Sequence, residues 1–303
     1  MRSKLRIPPI NLISLRSLNA RMILAEQERW NYNGLEKGFE GELQFDLLTD
    51  KLQSDCIVLK GLLLEVGGSE FQIDTTVIFQ GIIYLYDVKN YEGDYYYEDG
   101  KLYRIKGNIV KDPLSQLKRC ESLFIKLLQE LGFDVRVEAS LVFINPEFTL
   151  MQAPCDYPII YPTQVNRLIK KLDKVHSKLN KSHEWLAQQL ISLHKPVSSN
   201  MKLPSYEFNK MEKGMICAVC LTLETEEDGQ FIVCKKCGHR EPVESAVLRH
   251  VRELQLLFPE MKITTVLVHK WCKVVKSKKR IRRILVKNCR SVGKTKVRYF
   301  LFE

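Results

Sequence analysis

Two sets of residues in this 303-residue chain have the types and spacing to do chemistry. The first is Cys217-x-x-Cys220 and Cys234-x-x-Cys237, with thirteen residues between the pairs. Each pair places two thiolates on one tight turn, and two such turns supply the four soft ligands of a tetrahedral Zn2+ site. A redox Cys-x-x-Cys needs only one pair beside a helix start, so the doubled spacing reads as a closed, structural cluster. The second set lies in two β-rich runs, Phe71 to Phe79 and Ile82 to Lys89, separated by Gln80-Gly81. That gap predicts a hairpin. If Phe79 pairs with Ile82, Asp74 stands opposite Asp87 and Gln72 opposite Lys89. Alternate residues share a strand face, so Asp87 and Lys89 point the same way. Facing carboxylates repel, and an Asp–Asp pair in an apolar hairpin calls for a cation. Magnesium suits it, binding one or two carboxylates and keeping its other positions for water and substrate phosphate. Asp-x-Lys by itself is common on exposed strands. The opposing Asp74, with Glu42 on the preceding helix, makes it a candidate centre for phosphodiester hydrolysis, with Lys89 placed to orient the attacking water.

The elements that must position these residues carry motifs of their own. Gly38-Phe39-Glu40-Gly41-Glu42 leads into a helical run to Lys51, and an apolar strand follows at Cys56–Leu59. Asp112-Pro113-Leu114-Ser115-Gln116 opens a later helix. Gly-x-x-Gly-Glu before a helix, Gln-Ile-Asp on one strand, Asp-Val-Lys-Asn-Tyr-x-Gly on the next and Asp-Pro-x-x-Gln resemble the nuclease-related domain (NERD). That domain belongs to the PD-(D/E)xK, or restriction-endonuclease-like, superfamily. The resemblance spans about 38–145. It implies an α/β fold whose mixed central sheet is flanked by helices, and a metal-dependent nuclease. It also implies Glu42, Asp74, Asp87 and Lys89 as metal and catalytic residues, with Asp74 and Asp87 on Mg2+ or Mn2+ and Gln116 accessory. Two positions depart from the family pattern: Asp87 stands where Glu is more frequent, and Thr75 where a His is common.

The net charge of +11 is concentrated. Residues 261–302 hold fourteen Lys or Arg and no acid, while residues 1–260 hold 33 basic against 35 acidic residues. A disordered basic tail lacks apolar periodicity, but this one has it. Glu244–Phe258 is amphipathic, Thr264 or Thr265 caps a second helix, and Ser277 caps a third with Ile281, Ile284 and Leu285 inward. Gly293 turns a final hairpin. The pattern resembles a winged helix-turn-helix with Ser277–Asn288 as recognition helix and the Gly293 turn as wing. Lys278, Lys279, Arg280, Arg282, Arg283 and Lys287, with Lys294 and Lys296 on the wing, are the expected nucleic-acid contacts.

The resulting organisation is a basic N-terminal arm (1–33), the NERD-like domain (34–163), a helical linker (164–210), a four-cysteine zinc ribbon (211–242) and the basic winged-helix-like module (243–303). Pro196 to Pro204 is the expected joint. The first 25 residues are basic without an acid, as in organellar transit peptides. Pro8-Pro9 interrupts that pattern, so a basic arm on a cytoplasmic, bacterial-type protein is expected. The scattered remaining cysteines agree with a reducing compartment. No run approaches the roughly 18 apolar residues of a membrane span, and no phosphate-binding glycine loop is present. The functional expectation is a cytoplasmic, metal-dependent nuclease acting on DNA rather than RNA and not on a membrane. Its rivals are a non-catalytic nucleic-acid-binding protein or a protein-interaction adaptor that keeps the fold.

Overall fold

The computed structural model describes residues 3–105, 107, 109–293 and 298–301. The chain divides into two units, Met1–Pro9 with Asn33–Met201, and Ile10–Tyr32 with Lys202–Glu303. Residues 1–33 are therefore not one arm. Strand β1 (Ser3–Lys4) pairs in parallel with β2 (Ile57–Val66) of the first unit, whereas helix α1 (Ile10–Arg21) belongs to the second. The chain then forms the long helix α2 (Glu26–Thr49), which belongs to the first unit from Asn33 onward.

In the first unit β2 is followed by β3 (Ser69–Ile78) and β4 (Ile82–Lys89), antiparallel to one another. The Gln80-Gly81 loop is the expected one, closed by Phe79 N–H donating to Ile82 O at 2.9 Å. Its register also follows expectation, from Ile78 opposite Ile83 to Thr75 opposite Tyr86. A smaller sheet comes next, with β5 (Gly93–Glu98), β6 (Lys101–Arg104) and β7 (Ile109–Val110). Asp112 then caps α3 (Pro113–Glu130) by accepting from the amides of Leu114 and Ser115, with Pro113 in the first turn where no amide is missed. Strands β8 (Arg136–Phe143), β9 (Phe148–Met151) and β10 (Ile159–Ile160) complete the sheets. Their orders are β1-β2-β3-β4-β8-β10 and β7-β6-β5-β9. Because β4–β8 and β8–β10 are parallel, the large sheet is mixed.

Side-chain alternation gives the large sheet two apolar faces, and helices cover both. Ile57, Leu59, Ile83 and Leu85 pack with Leu117 and Phe124 of α3 and with Leu186 and Leu190 of α5 (Lys181–Ser192). Val58, Val77, Tyr86 and Val88 pack with Phe45 of α2 and with Val165 and Leu172 of α4 (Val165–Leu172). Helices α4 and α5, expected as a linker over 164–210, are thus parts of the first unit's core. The boundary falls at Met201–Lys202, inside the Pro196–Pro204 stretch. On the smaller sheet Tyr95 and Tyr97 are buried, and Tyr96 of β5 stacks on Tyr103 of β6 with centroids 5.1 Å apart.

In the second unit β11 (Thr225–Asp228), β12 (Phe231–Cys234) and β13 (Arg240–Pro242) form a small antiparallel sheet. Its hairpin loop is Gly229-Gln230, with Gly229 at φ 56°. Three helices follow, α6 (Val243–Leu257), α7 (Thr265–Cys272) and α8 (Lys278–Asn288), then the hairpin β14 (Arg290–Val292) and β15 (Tyr299–Leu301). Thr264 and Ser277 cap α7 and α8 as their positions predict. Helix α1 is held by a buried polar group: the Arg21 guanidinium pairs with Glu253, donates to Gly214 O and lies 3.9 Å from the Trp271 ring centre. Among the described residues no helix is long and apolar enough to cross a membrane.

Candidate functional site

Glu42, Asp74, Asp87, Lys89 and Gln116 line one open cleft of about 350 Å3 in the first unit, together with Lys37, Gln72, Asn90 and Tyr91. Each arrives on a different support. Glu42 is on α2, Asp74 on β3, Asp87 and Lys89 on β4, and Gln116 in the first turns of α3. The Gly-x-x-Gly-Glu motif lies inside α2 rather than before a helix. Gly41 is needed for close approach, since an added Cβ would stand 2.6 Å from Asn90 Cβ. Asn90 in turn donates to Lys37 O at 2.8 Å, fixing α2 against the end of β4. Gly34 and Gly38, one turn apart, have no neighbour among the described residues within 4 Å of an added Cβ and leave the helix face of the cleft bare.

Asp74 is set apart from the sheet on both sides. The β2–β3 register runs through Lys60–Thr75 and resumes at Leu62–Ile73, omitting Gly61 and Asp74. The larger core takes Ile57 and Leu59, then Leu62, Leu64 and Val66, so the alternation slips by one residue at Gly61, whose φ is 60°. On the other side the β3–β4 ladder stops at Thr75–Tyr86, while β4 continues on β8 to Lys89–Phe143. The expected cross-strand pairs Asp74–Asp87 and Gln72–Lys89 are therefore not rungs of the ladder. Instead Asp74 Oδ2 accepts from Val88 N–H at 2.8 Å and Oδ1 from Gln72 Nε2 at 3.2 Å. The carboxylate itself replaces the sheet bond.

The expected sharing of a face by Asp87 and Lys89 is present: Lys89 Nζ donates to Asp87 Oδ1 at 2.6 Å. Asp87 Oδ2 is buried and accepts no hydrogen bond from any described residue. Burial, partly offset by Lys89 and reinforced by Asp74, pushes the Asp87 carboxyl up to about 7. Glu42 is pushed up to about 8, chiefly by burial and then by Asp74, which together outweigh its ion pair with Arg6. Burial opposes the charge on Lys89, but Asp87 and Asp74 overcome it and raise its ammonium above the usual value. The cleft is thus short of positive charge. An orphaned carboxylate oxygen and two carboxyls driven toward protonation fit the donor set of a hard divalent cation.

Arg6 was not singled out by sequence, where it is one of several cations in a basic stretch. Its side chain is 3% exposed and bonded to Glu42, Asp46 and the Asp74 carbonyl. A buried arginine seldom stands without acids around it, but nothing local to residue 6 says which acids those are.

In the second unit the sulfur atoms of Cys217, Cys220, Cys234 and Cys237 lie within 4.8 Å of one another. The pairs Cys217–Cys237 and Cys220–Cys234 are 3.6 and 3.5 Å apart. Four ligands at about 2.3 Å around one tetrahedral Zn2+ stand roughly 3.8 Å from one another, so the thiols are arranged for such an ion. Each Cys-x-x-Cys closes in the same way. Leu221 N–H donates to Cys217 O and Gly238 N–H to Cys234 O, with both donors at positive φ (58° and 71°). The module is tied to α6 through Ile216. Its amide donates to His250 Nε2 at 2.7 Å and its carbonyl accepts from Arg249 at 2.7 Å.

On α8, Lys278, Lys279, Arg282 and Arg283 are exposed, and among the described residues none has an ion-pair partner. Arg280 is engaged instead, donating to Glu227, Gly229 O and Gln230. Lys287 pairs with Glu244. Lys294 and Lys296 lie outside the described residues.

Residues 37–144 match the family model of the nuclease-related domain, NERD. The matched stretch contains all five cleft residues expected from the sequence and excludes Arg6. No curated protein and no solved structure matches the chain.

Proposed function

We propose that the first unit is a metal-dependent nuclease of the PD-(D/E)xK type that hydrolyses phosphodiester bonds, with Asp74 and Asp87 holding Mg2+ or Mn2+. The observation that carries this reading is the buried, unpartnered Asp87 Oδ2 beside Asp74 in a cleft open to substrate. When bound there, the ion supplies Lewis acidity toward a phosphate oxygen and toward water. Lys89, held by Asp87, stands where it orients the attacking water and offsets charge building on the phosphate. Glu42 and Gln116 face the same space as further hydrogen-bonding groups, and the bare Gly34–Gly38 face of α2 gives a backbone room to approach.

The same reading makes the four cysteines a structural zinc ribbon, and α6–α8 with the terminal hairpin a winged-helix-like module that holds DNA rather than RNA. An α-helix enters the major groove of B-form DNA, whereas that of A-form RNA is too narrow. Lys278, Lys279, Arg282 and Arg283 are the α8 residues available to phosphates. Arg280 and Lys287 are already engaged, which moves them from direct contact to holding α8 in place. A cytoplasmic protein acting on nucleic acid is the corresponding setting. The test is incubation of the purified chain with labelled single- and double-stranded DNA and RNA in Mg2+, Mn2+ or EDTA. Cleavage is expected with either metal and none in EDTA. Binding without cleavage under every metal would leave the non-catalytic nucleic-acid-binding protein, and neither would leave the adaptor.

A further inference from the structure

Glu42, the buried Asp46 and the backbone of Asp74 converge on one side chain that lies outside the stretch matched by the family model, Arg6. Its Nη1 donates to Glu42 Oε2 at 2.5 Å. Its Nε and Nη2 fork onto Asp46 Oδ2 and Oδ1 at 2.8 and 3.0 Å. Nη2 also donates to the backbone oxygen of Asp74 at 2.7 Å. That last bond stands where the β2–β3 pairing is interrupted, because its register omits Gly61 and Asp74. An added Cβ on Gly61 would come within 3.3 Å of Arg6 Nη1, and its φ of 60° already disfavours other residues. The kink in β2 thus makes the space that the guanidinium fills. The segment carrying Arg6 is itself fixed: β1 pairs at Ser3–Val58 and Lys4–Leu59, and Lys4 Nζ donates to the carbonyls of Lys60 and Gly61 at 2.8 and 3.1 Å.

We propose that Arg6 is a positioning residue of the candidate metal centre. It bonds the Asp74 carbonyl where the β2–β3 pairing is interrupted and holds Glu42 at the cleft, so the N-terminal segment is an integral part of the site. The proposal rests on the nuclease reading for what the site does. A guanidinium meets this geometry because its planar fork serves acceptors on three residues at once. A lysine ammonium carries its three N–H donors on one atom and lacks the planar spread that meets a carboxylate side-on while reaching the other two residues. Asp74 is bonded on its other side to Val88 N–H through its carboxylate, so loss of Arg6 frees the backbone that aims that carboxylate.

The test uses the full chain with Arg6→Ala and Arg6→Lys. It reads Mn2+ affinity, kcat and KM on a labelled DNA duplex, and hydrogen exchange at the Val88 amide. Arg6→Ala is expected to lower Mn2+ affinity and kcat on the order of 10- to 100-fold, the range for partners that orient metal ligands. It should leave KM for the duplex unchanged and speed exchange at Val88 while Val142 of β8 stays protected. Arg6→Lys is expected to recover part of each loss. Wild-type Mn2+ affinity and Val88 protection in Arg6→Ala, even with a lower melting temperature, would overturn the proposal, as would a rise in KM alone. If wild type neither binds Mn2+ nor cleaves, the nuclease reading falls. Val88 exchange then decides by itself whether Arg6 holds Asp74. Should Arg6→Ala fail to fold, Arg6→Lys carries the test, and wild-type values in it would overturn the role of the fork.

Discussion

Asp74 and Asp87 sit in a sheet whose other buried residues are mostly apolar, and a buried carboxylate without partners is costly. Asp74 meets that cost with the Val88 amide and Gln72, whereas Asp87 meets half of it with Lys89 and leaves Oδ2 unmet. Residues that share one ion and one reaction act as a unit, so their losses do not add. Asp74→Asn, Asp87→Asn and Lys89→Ala are each expected to abolish cleavage with nucleic-acid binding retained, and Asp74→Asn with Lys89→Ala to be little worse than either change alone. Single-turnover cleavage with a parallel binding titration checks this, and normal turnover in Asp74→Asn would sink the metal-centre reading. His250 offers a second test at this scale. Its Nε2 accepts from Ile216 and its Nδ1 donates to Ala246 O, which requires the neutral ring. Burial holds it down to about 4. The unfolded chain binds a proton near pH 6.5, so the stability contributed by the neutral ring is complete above that value and is lost as pH falls toward 4. Between pH 7 and pH 5 the second unit is expected to lose on the order of 2 kcal/mol. Urea unfolding at both pH values, with His250→Gln flattening the difference, measures it.

Among the elements, α2 and the four-cysteine module show how local pattern meets packing. Three glycines in α2 weaken it as a helix, since each costs up to about 1 kcal/mol relative to alanine. They persist where the helix must touch β4 at Gly41 and leave the cleft face clear at Gly34 and Gly38. The cysteine module has few buried apolar side chains, Ile216 and Ile232 among them, and metal ligation supplies most of the folding energy in such modules. One Zn2+ per chain is expected in protein purified without chelator. Chelation should then release residues 214–240 to rapid hydrogen exchange while the first unit's large sheet stays protected. Because Ile216 is bonded to Arg249 and His250, the loosening should extend into α6. Metal analysis showing no zinc would remove the structural role.

On the scale of the whole molecule, the positive charge and the candidate cleavage site belong to different units. The fourteen basic residues of 261–302 lie in the second unit, and the cleft lies in the first. Of the six cations expected on α8, four remain available, because Arg280 and Lys287 hold the β11–β12 loop and α6. Four neutralised phosphates give a slope of log K against log salt near −4 for duplex DNA. Anisotropy of the full chain on a labelled duplex across a salt series measures that slope. Charge reversal of Arg282 and Arg283 is expected to flatten it and raise KM without changing kcat. A salt-independent affinity would move the module to the protein-interaction reading.

What the sequence by itself determined is short-range. Cysteine spacing places four thiols together, a two-residue gap sets the β3–β4 register, and Asp112, Thr264 and Ser277 cap the helices they precede. These interactions span a few residues, and their geometry follows from backbone rules alone. Asp74, Asp87 and Lys89 were legible for a related reason, since one hairpin carries them, whereas Glu42 and Gln116 entered through the resemblance of their motifs to the nuclease-related domain. Only the tertiary structure decided that Asp74 leaves both ladders, that residues 165–192 close the core rather than bridge domains, and that Arg280 is tied down. It also decided that Arg6, sixty-eight positions before Asp74, reaches its carbonyl. The reason is that burial and the satisfaction of buried charge are properties of where distant segments meet. A lone arginine in a basic stretch carries no local pattern that names its partners.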